Sequence, residues 1–219
     1  MRRGIYKHIL QHAPSVTGKV LDFGCGQKPC ADLFQGASEI IGVDVAVSGH
    51  DHKDSSIDVF YNGAKLPFPD SVFDSVTSFE VFEHVFNLDE VLTELERVMV
   101  DGGFMLLTIP FAIGEHEQPF DHARYTSYGI ADILKNHNFT IRCQQKIGSY
   151  PEALCQLLIN YLLQTILPNN FVVRGLATLT IIAPLAGFSV LLGKMLPKDC
   201  TLYTNQIILA QKERIDNCQ

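Results

Sequence analysis

Charge is what this 219-residue chain has least of. Only 19% of its residues are Asp, Glu, Lys or Arg, where an ordinary soluble domain sits near a quarter. With 47% hydrophobic residues and a mean hydropathy of +0.12, a disordered or low-complexity chain is excluded, because there is ample material for a large core. Basic residues are the minority, 17 against 24 acidic, for a net charge of −7. That balance argues against an exposed phosphate backbone as the partner, so no nucleic acid is expected. Six cysteines include no CxxC, and no Cys-His group has zinc spacing. His50-Asp51-His52 offers ligands at alternate positions but closes no coordination sphere and reads as a solvated loop, so no metal is expected. The opening MRRGIYKHIL QHAPSVTGKV has no uninterrupted apolar stretch of the secretory kind, and a reducing, cytoplasmic compartment is the expectation.

What is present, over the first two thirds, is an alternation of strands and helices. A short helix around 4–12 precedes the compact apolar strand Lys19–Phe23. Glu39–Val45, Ile57–Tyr61, Phe73–Ser78 and Phe104–Ile109 read as further strands, with Gly102-Gly103 punctuating the entry to the fifth. Between the fourth and fifth, Leu88, Val91, Leu92, Leu95 and Val98 recur on one helical face. Tyr128–Asn138 reads as a helix, Phe139–Ile147 and Leu202–Ala210 as the last strands. Short buried strands separated by helices imply an α/β fold with a mostly parallel sheet covered on both faces.

The first strand runs into Gly24-Cys25-Gly26, where bare backbone can approach a ligand closely. Pro29 stands where the third glycine of a dinucleotide fingerprint belongs, which weakens an NAD-enzyme reading. Asp44 ends the second strand, where a carboxylate can accept both hydroxyls of an adenosine ribose. A tight turn and a helix cap would explain the same residues without a ligand.

In order and spacing, VLDFGCGQKP, GVDVA, NGAKLPFPDSVFDSV and SFEVFEHVFNLDEVLTELERVMVDGGFMLLTIP resemble the class I S-adenosylmethionine-dependent methyltransferases. The similar group is the broad one acting on small molecules, quinones, lipids and sugars. The resemblance covers about residues 18–147 and a closing strand at 202–211. It implies a Rossmann-like, seven-stranded sheet of order 3-2-1-4-5-7-6 with only the seventh strand antiparallel. It further implies S-adenosylmethionine as cofactor. Asp22 would help fix the methionine amino group, Gly24, Cys25 and Gly26 would pass close to the methionine part, and Asp44 would hold the ribose. Val45 would pack on the adenine face, Gly63 and Ala64 would line it, and Leu66-Pro67-Phe68 would support that loop. Asn62 stands where the family usually has an Asp toward the adenine amino group. Phe79 and Glu80 would lie beneath the methionine and the sulfonium, with Glu83 and His84 on the next turn.

Methyl transfer from a sulfonium needs a base only if the acceptor must lose a proton. His116, in the polar stretch Gly114–Tyr125, is the first candidate, as base or as hydrogen-bonding partner of the substrate; His84 is the second, with packing of its turn as the alternative. That stretch resembles the family's His…Asp-x-x-Arg-Tyr loop over the active site, with Asp121, Arg124 and Tyr125 ordering it.

The surplus hydrophobicity has an address. Between Glu152 and Lys194 only Arg174 is charged, whereas the other 178 residues carry 40 charges, an ordinary 22%. Leu154–Leu167 reads as an apolar helix, and Gly175–Gly193 is an uncharged run that just reaches membrane-spanning length, with Pro184 expected to kink it. The expected organisation is one methyltransferase domain over 1–219, with 148–201 inserted before the last strand. A lid touching a membrane or a lipid-like substrate, a homodimer interface in a soluble enzyme, and two membrane-inserted helices all fit 153–196. The function expected is methyl transfer to an apolar or membrane-associated small molecule, with O-methylation favoured, at the inner face of a membrane. A soluble metabolite methyltransferase and a catalytically silent cofactor-binding partner protein are the alternatives.

Overall fold

A computed structural model describes residues 2–46 and 56–214. The His50-Asp51-His52 triplet lies outside the described residues. The chain divides into two compact units, one of Met1–Pro110, Glu115–Gln145 and Gln206–Gln219, the other of Phe111–Gly114 and Lys146–Asn205. The second is wider than the run 148–201.

The first unit is built on a mixed sheet. After helix α1 (Arg2–His12) come β1 (Thr17–Phe23), β2 (Gly36–Val45), β3 (Val59–Tyr61) and β4 (Phe73–Phe79). Helix α2 (Leu88–Val98), β5 (Met99–Pro110), α3 (Ser127–Asn136), β6 (Phe139–Ile147) and β7 (Asn205–Lys212) follow. The strand order is β3-β2-β1-β4-β5-β7-β6, as the resemblance implies. Central β1 pairs in parallel with β2 and with β4, so Val20 lies between Ile40 and Ser75. Val20, Leu21, Val43 and Val76 are buried, and so are the small polar residues Ser75, Thr77 and Ser78 of β4, as strands covered on both faces require. The stripe Leu88, Val91, Leu92, Leu95 and Val98 is buried in the core as its spacing predicts.

Several boundaries differ from the sequence reading, β2 starting earlier at Gly36 and β3 later at Val59 among them, and two have a visible cause. β5 starts at Met99, because Gly102 (φ 80°) and Gly103 form an irregularity inside the strand: Phe73 pairs with Met99, yet Ser75 pairs with Phe104. β7 begins at Asn205, after a Tyr203-Thr204 step in which Thr204 donates through its N–H and its hydroxyl to the Ile147 carbonyl, both at 2.9 Å.

The second unit is a helical hairpin. Helix α4 (Tyr150–Tyr161) continues through a widened turn at Leu162–Ile166, and α5 (Phe171–Ala177) joins α6 (Ala183–Met195) through a second one at Thr178–Ile182. There the Ala183 N–H reaches back five residues to the Thr178 carbonyl. Widening the turn before Pro184 makes room for its ring, so the helix runs unbroken over Phe171–Met195. Arg174, the lone charge of the run, donates to the carbonyls of Leu163 (2.8 Å) and Pro168 (3.3 Å), satisfying backbone groups that the hairpin turn leaves over. Helix α6 crosses close to the start of α4, where a Cβ on Gly193 would come within 3.0 Å of Ser149 Oγ.

Leu92 is fully buried in α2 against the sheet. Leu92→Ala is expected to lower unfolding free energy by about 2–5 kcal/mol in urea denaturation; a loss below about 1 kcal/mol would contradict this account of the core.

Candidate active site

Because β1, β2, β3, β4 and β5 are linked by parallel pairings, their carboxyl ends share one edge of the sheet. Every residue singled out from the sequence in the first unit lies at or after one of those ends.

The turn after β1 is held on β2. Gly24 and Cys25 donate to the Val43 carbonyl at 2.9 and 3.2 Å, and Gly26 donates to Asp44 Oδ2 at 3.1 Å. Asp44 Oδ1 accepts from the Val45 N–H at 2.8 Å. Each Asp44 oxygen thus keeps lone-pair capacity for a hydroxyl while its orientation is set by backbone. Gly24 (φ 71°) has no alternative to glycine, since a Cβ there would enter the Val81 side chain. Gly26 (φ 47°) and Gly63 (φ 82°) differ: a Cβ on either would meet nothing within 4 Å, so both bare their backbone toward open space. Lys28, also left-handed (φ 50°), forms an ion pair with Asp58, whose carboxylate accepts from the Gly42 N–H at 2.6 Å. Asp58 is a tie that the sequence reading missed.

Asp22 is buried at the end of β1, where its carboxylate accepts from the Thr77 hydroxyl at 2.8 Å. Burial raises its pKa to about 6 against the opposing Thr77 bond. Burial likewise pushes the Cys25 thiol up to about 12, so Cys25 serves the turn as a small neutral side chain and not as a nucleophile. Asn62 turns its amide oxygen back onto its own loop, accepting from the N–H groups of Ala64 (3.1 Å) and Lys65 (3.3 Å). The next stretch is clamped by Arg97, which donates to the carbonyls of Leu66 and Phe68 and to Asp70 and Glu94. Phe79 stacks on Phe34, and Glu80 takes a left-handed φ of 57° where β4 ends, a strained backbone of the kind found at functional turns.

The two catalytic candidates, far apart in sequence, come together. The rings of His84 and His116 meet edge to face with centroids 4.8 Å apart. His84 Nδ1 donates to the Phe120 carbonyl at 2.9 Å, so in the neutral ring Nε2 carries the lone pair; it lies 3.6 Å from both Glu83 Oε1 and Glu117 Oε2. His116 is seated by Asp121, which accepts its N–H at 2.9 Å and lies 3.3 Å from its Nδ1. Asp121 is in turn gripped by both terminal nitrogens of Arg124 at 2.5 and 2.6 Å. That guanidinium holds the Asp121 carboxyl down at about 2. His122, exposed, rests edge-on against Phe86. The backbone N–H groups of His122 and Ala123 staple this loop to the Glu83 carbonyl.

Glu83 is the residue whose importance the sequence reading underweighted. Its side chain is 0% exposed and neither carboxylate oxygen has a hydrogen-bond partner. Burial first, then the nearby Glu80, raises its pKa to about 9. The signal available in sequence was an acid inside the otherwise apolar run Val81-Phe82-Glu83-His84-Val85.

A sheet of this order, with bare glycine backbone after β1 and an acid ending β2, defines the class I, Rossmann-like fold of S-adenosylmethionine-dependent methyltransferases. A methyltransferase-domain family profile matches residues 2–144, and the chain belongs to that family. S-adenosylmethionine is its cofactor. A Mycolicibacterium smegmatis protein named "Probable S-adenosylmethionine-dependent methyltransferase" is 29% identical over 133 residues, 56% of this chain and 52% of its own length. The chain thus spans about half of that relative. Among solved structures, an S-adenosylmethionine-dependent methyltransferase from Archaeoglobus fulgidus superposes with a TM-score of 0.57 at 16% identity, over 97% of this chain and 95% of its own. The [4+2]-cyclase SpnF superposes at 0.61 and 17%, over 96% and 80%. Both are likenesses of fold.

Glu83 also gives a signed pH dependence. Below its ordinary value near 4.5 the carboxyl is protonated in folded and unfolded chains alike. From there up to about 9 the unfolded chain gives up a proton that the folded chain keeps, so this group lowers stability as pH rises. In chelator-treated buffer, Glu83→Gln is expected to gain in Tm relative to the parent between pH 5 and pH 8. An unchanged Tm difference across that range would refute the assignment.

Proposed function

We propose that the protein transfers the methyl group of S-adenosylmethionine to an oxygen of an apolar or membrane-anchored small molecule, at the cytoplasmic, inner face of a membrane. Bound S-adenosylmethionine supplies an already activated methyl group, so orientation and desolvation of the acceptor are the protein's part. In this reading Asp22 faces the methionine ammonium, and Gly24, Cys25 and Gly26 line the methionine by backbone. Asp44 accepts the ribose hydroxyls, Val45 packs on the adenine, and Gly63 and Ala64 line it beside Asn62. Phe79 and Glu80 floor the reacting end. His116, held by Asp121 and Arg124, and His84 beside it form the place where the acceptor hydroxyl loses its proton.

The observation that carries the acceptor class is the helix over Phe171–Met195. It is 25 residues long, about 37 Å at 1.5 Å per residue, with a mean hydropathy of 2.0 in its most apolar window and only 11% of that window buried. Of the 21 exposed large hydrophobic residues among those described, 16 lie between Tyr150 and Leu196, led by Phe171 at 92% exposed. A core helix of this composition would be covered, and an exposed apolar face this extensive marks an interaction surface.

Two measurements test the reading. Calorimetry should give binding of S-adenosylhomocysteine weakened at least tenfold by Asp44→Ala. Affinity should fall as pH drops below about 6, because a protonated Asp22 no longer pairs with the ammonium. Asp22→Asn should abolish that pH dependence, and binding of NADH alone would overturn the cofactor assignment.

Flotation with phospholipid vesicles should carry the full chain but not the Phe171→Asp/Leu179→Asp variant. A full chain that stays soluble as a dimer, dissociated by the same two substitutions, would replace the membrane with a homodimer interface.

A further inference from the structure

Glu83, His84 and His116 each offer one ligand atom, and these atoms lie within 4.8 Å of one another. We propose that these three side chains, with Glu117 as a fourth, form a binding site for a divalent first-row transition cation. Two ligands on opposite sides of such an ion sit about 4.2 Å apart, and neighbours in a tetrahedron about 3.4 Å, given metal–ligand bonds near 2.1 Å. The 3.6 Å separations of His84 Nε2 from Glu83 and from Glu117 are already close to the second figure. The widest separation, up to 4.8 Å, exceeds the first figure, so binding requires these side chains to draw inward.

Three features mark the cluster as built for a cation. Glu83 is wholly buried, neither of its oxygens has a hydrogen-bond partner, and its Oε1 lies 3.6 Å from His84 Nε2, an arrangement that is costly unless a further group meets those oxygens. His84 donates Nδ1–H to the Phe120 carbonyl, which fixes the tautomer that presents the Nε2 lone pair. That backing by a carbonyl is the usual second partner of a metal-binding imidazole. His116 is positioned by the Asp121–Arg124 pair, its Nδ1 lying 3.3 Å from the carboxylate and 3.5 Å from a terminal guanidinium nitrogen. Two imidazoles with carboxylates favour zinc, cobalt, manganese or iron over magnesium and calcium, which prefer all-oxygen shells. The ligands come from the turn after β4 and the loop after β5, which is why spacing along the chain does not reveal them.

The consequence rests on the hydroxyl-acceptor reading. With the acceptor oxygen in an open coordination position, the cation lowers the pKa of its hydroxyl and the proton passes to solvent. The O–CH3 bond then forms as the S–CH3 bond breaks and S-adenosylhomocysteine departs.

Cation binding is measured without acceptor, so it stands or falls separately from the methyl transfer. Chelator-stripped full-length protein titrated with Co2+ should bind one equivalent and develop visible ligand-field absorption. Zn2+ should displace it, and Mg2+ at the same concentration should not. Glu83→Gln and His116→Ala should each weaken Co2+ binding ten- to a hundredfold while S-adenosylhomocysteine binding, the check that the variants are folded, is kept. His122→Ala, a neighbouring imidazole outside the cluster, should leave Co2+ binding unchanged. No stoichiometric Co2+ binding by the parent, or equal losses in His122→Ala and His116→Ala, overturns the proposal.

Discussion

The arrangement of the first unit depends on one close approach. The chain leaving β1 must turn with bare backbone against the end of β2 while the turn after β4 presses on it from the other side. Gly24 meets that demand by lacking the Cβ that would enter Val81, and its N–H is taken by the Val43 carbonyl. Asp44 then orients the turn through the Gly26 N–H. A side chain at Gly24 would push β1's turn away from β4's and separate the acid that ends β2 from the residues that follow β4. Left-handed φ values at Gly24, Gly26, Lys28 and Glu80 cluster at this edge, which is where the fold tolerates backbone strain.

Three buried carboxylates within one sheet edge are treated in three ways. Asp121 is neutralised by a two-pronged guanidinium and stays ionised at about 2. Asp22 has one hydroxyl for company and rises to about 6, poised to ionise when a cation arrives. Glu83 has no side-chain donor, and burial with the nearby Glu80 raises it to about 9. The same chemical group thereby stands as a structural anion, an acid that titrates near neutrality and a buried acid that keeps its proton, and the environment alone makes the difference. The pair Asp121–Arg124 matters to the others because it seats His116 beside His84 and so completes the surroundings of Glu83.

The second unit solves a different problem, that of a nearly charge-free segment which must return to the sheet it left. Arg174 caps the carbonyls left over at its turn, and Asn170 accepts from the N–H groups of Val172 and Val173 to start the second arm. The widened turn before Pro184 keeps that arm helical. Proline was expected to kink it; the five-residue reach of the Ala183 N–H removes the clash without a break.

Most of the fold was legible along the chain because its signals are local. The stripe Leu88-Val91-Leu92-Leu95-Val98, the compact apolar run of β1 and the glycines after it each encode their structure within a few residues, since side-chain direction follows directly from helical and extended geometry. Composition alone likewise located the hydrophobic hairpin between Glu152 and Lys194. Strand ends were less legible: at Gly102-Gly103 the pairing partner, not the glycine pair, decides where β5 begins. The polar centre was legible only as names. His84 and His116 could be picked out, but their meeting at 4.8 Å, the tautomer imposed by Phe120 and the isolation of Glu83 depend on a loop after β5 folding back onto the turn after β4. Those contacts join residues distant in sequence, and no periodicity or spacing encodes them. Burial in three dimensions, which sets what each charge can pair with, is what tertiary structure alone decided.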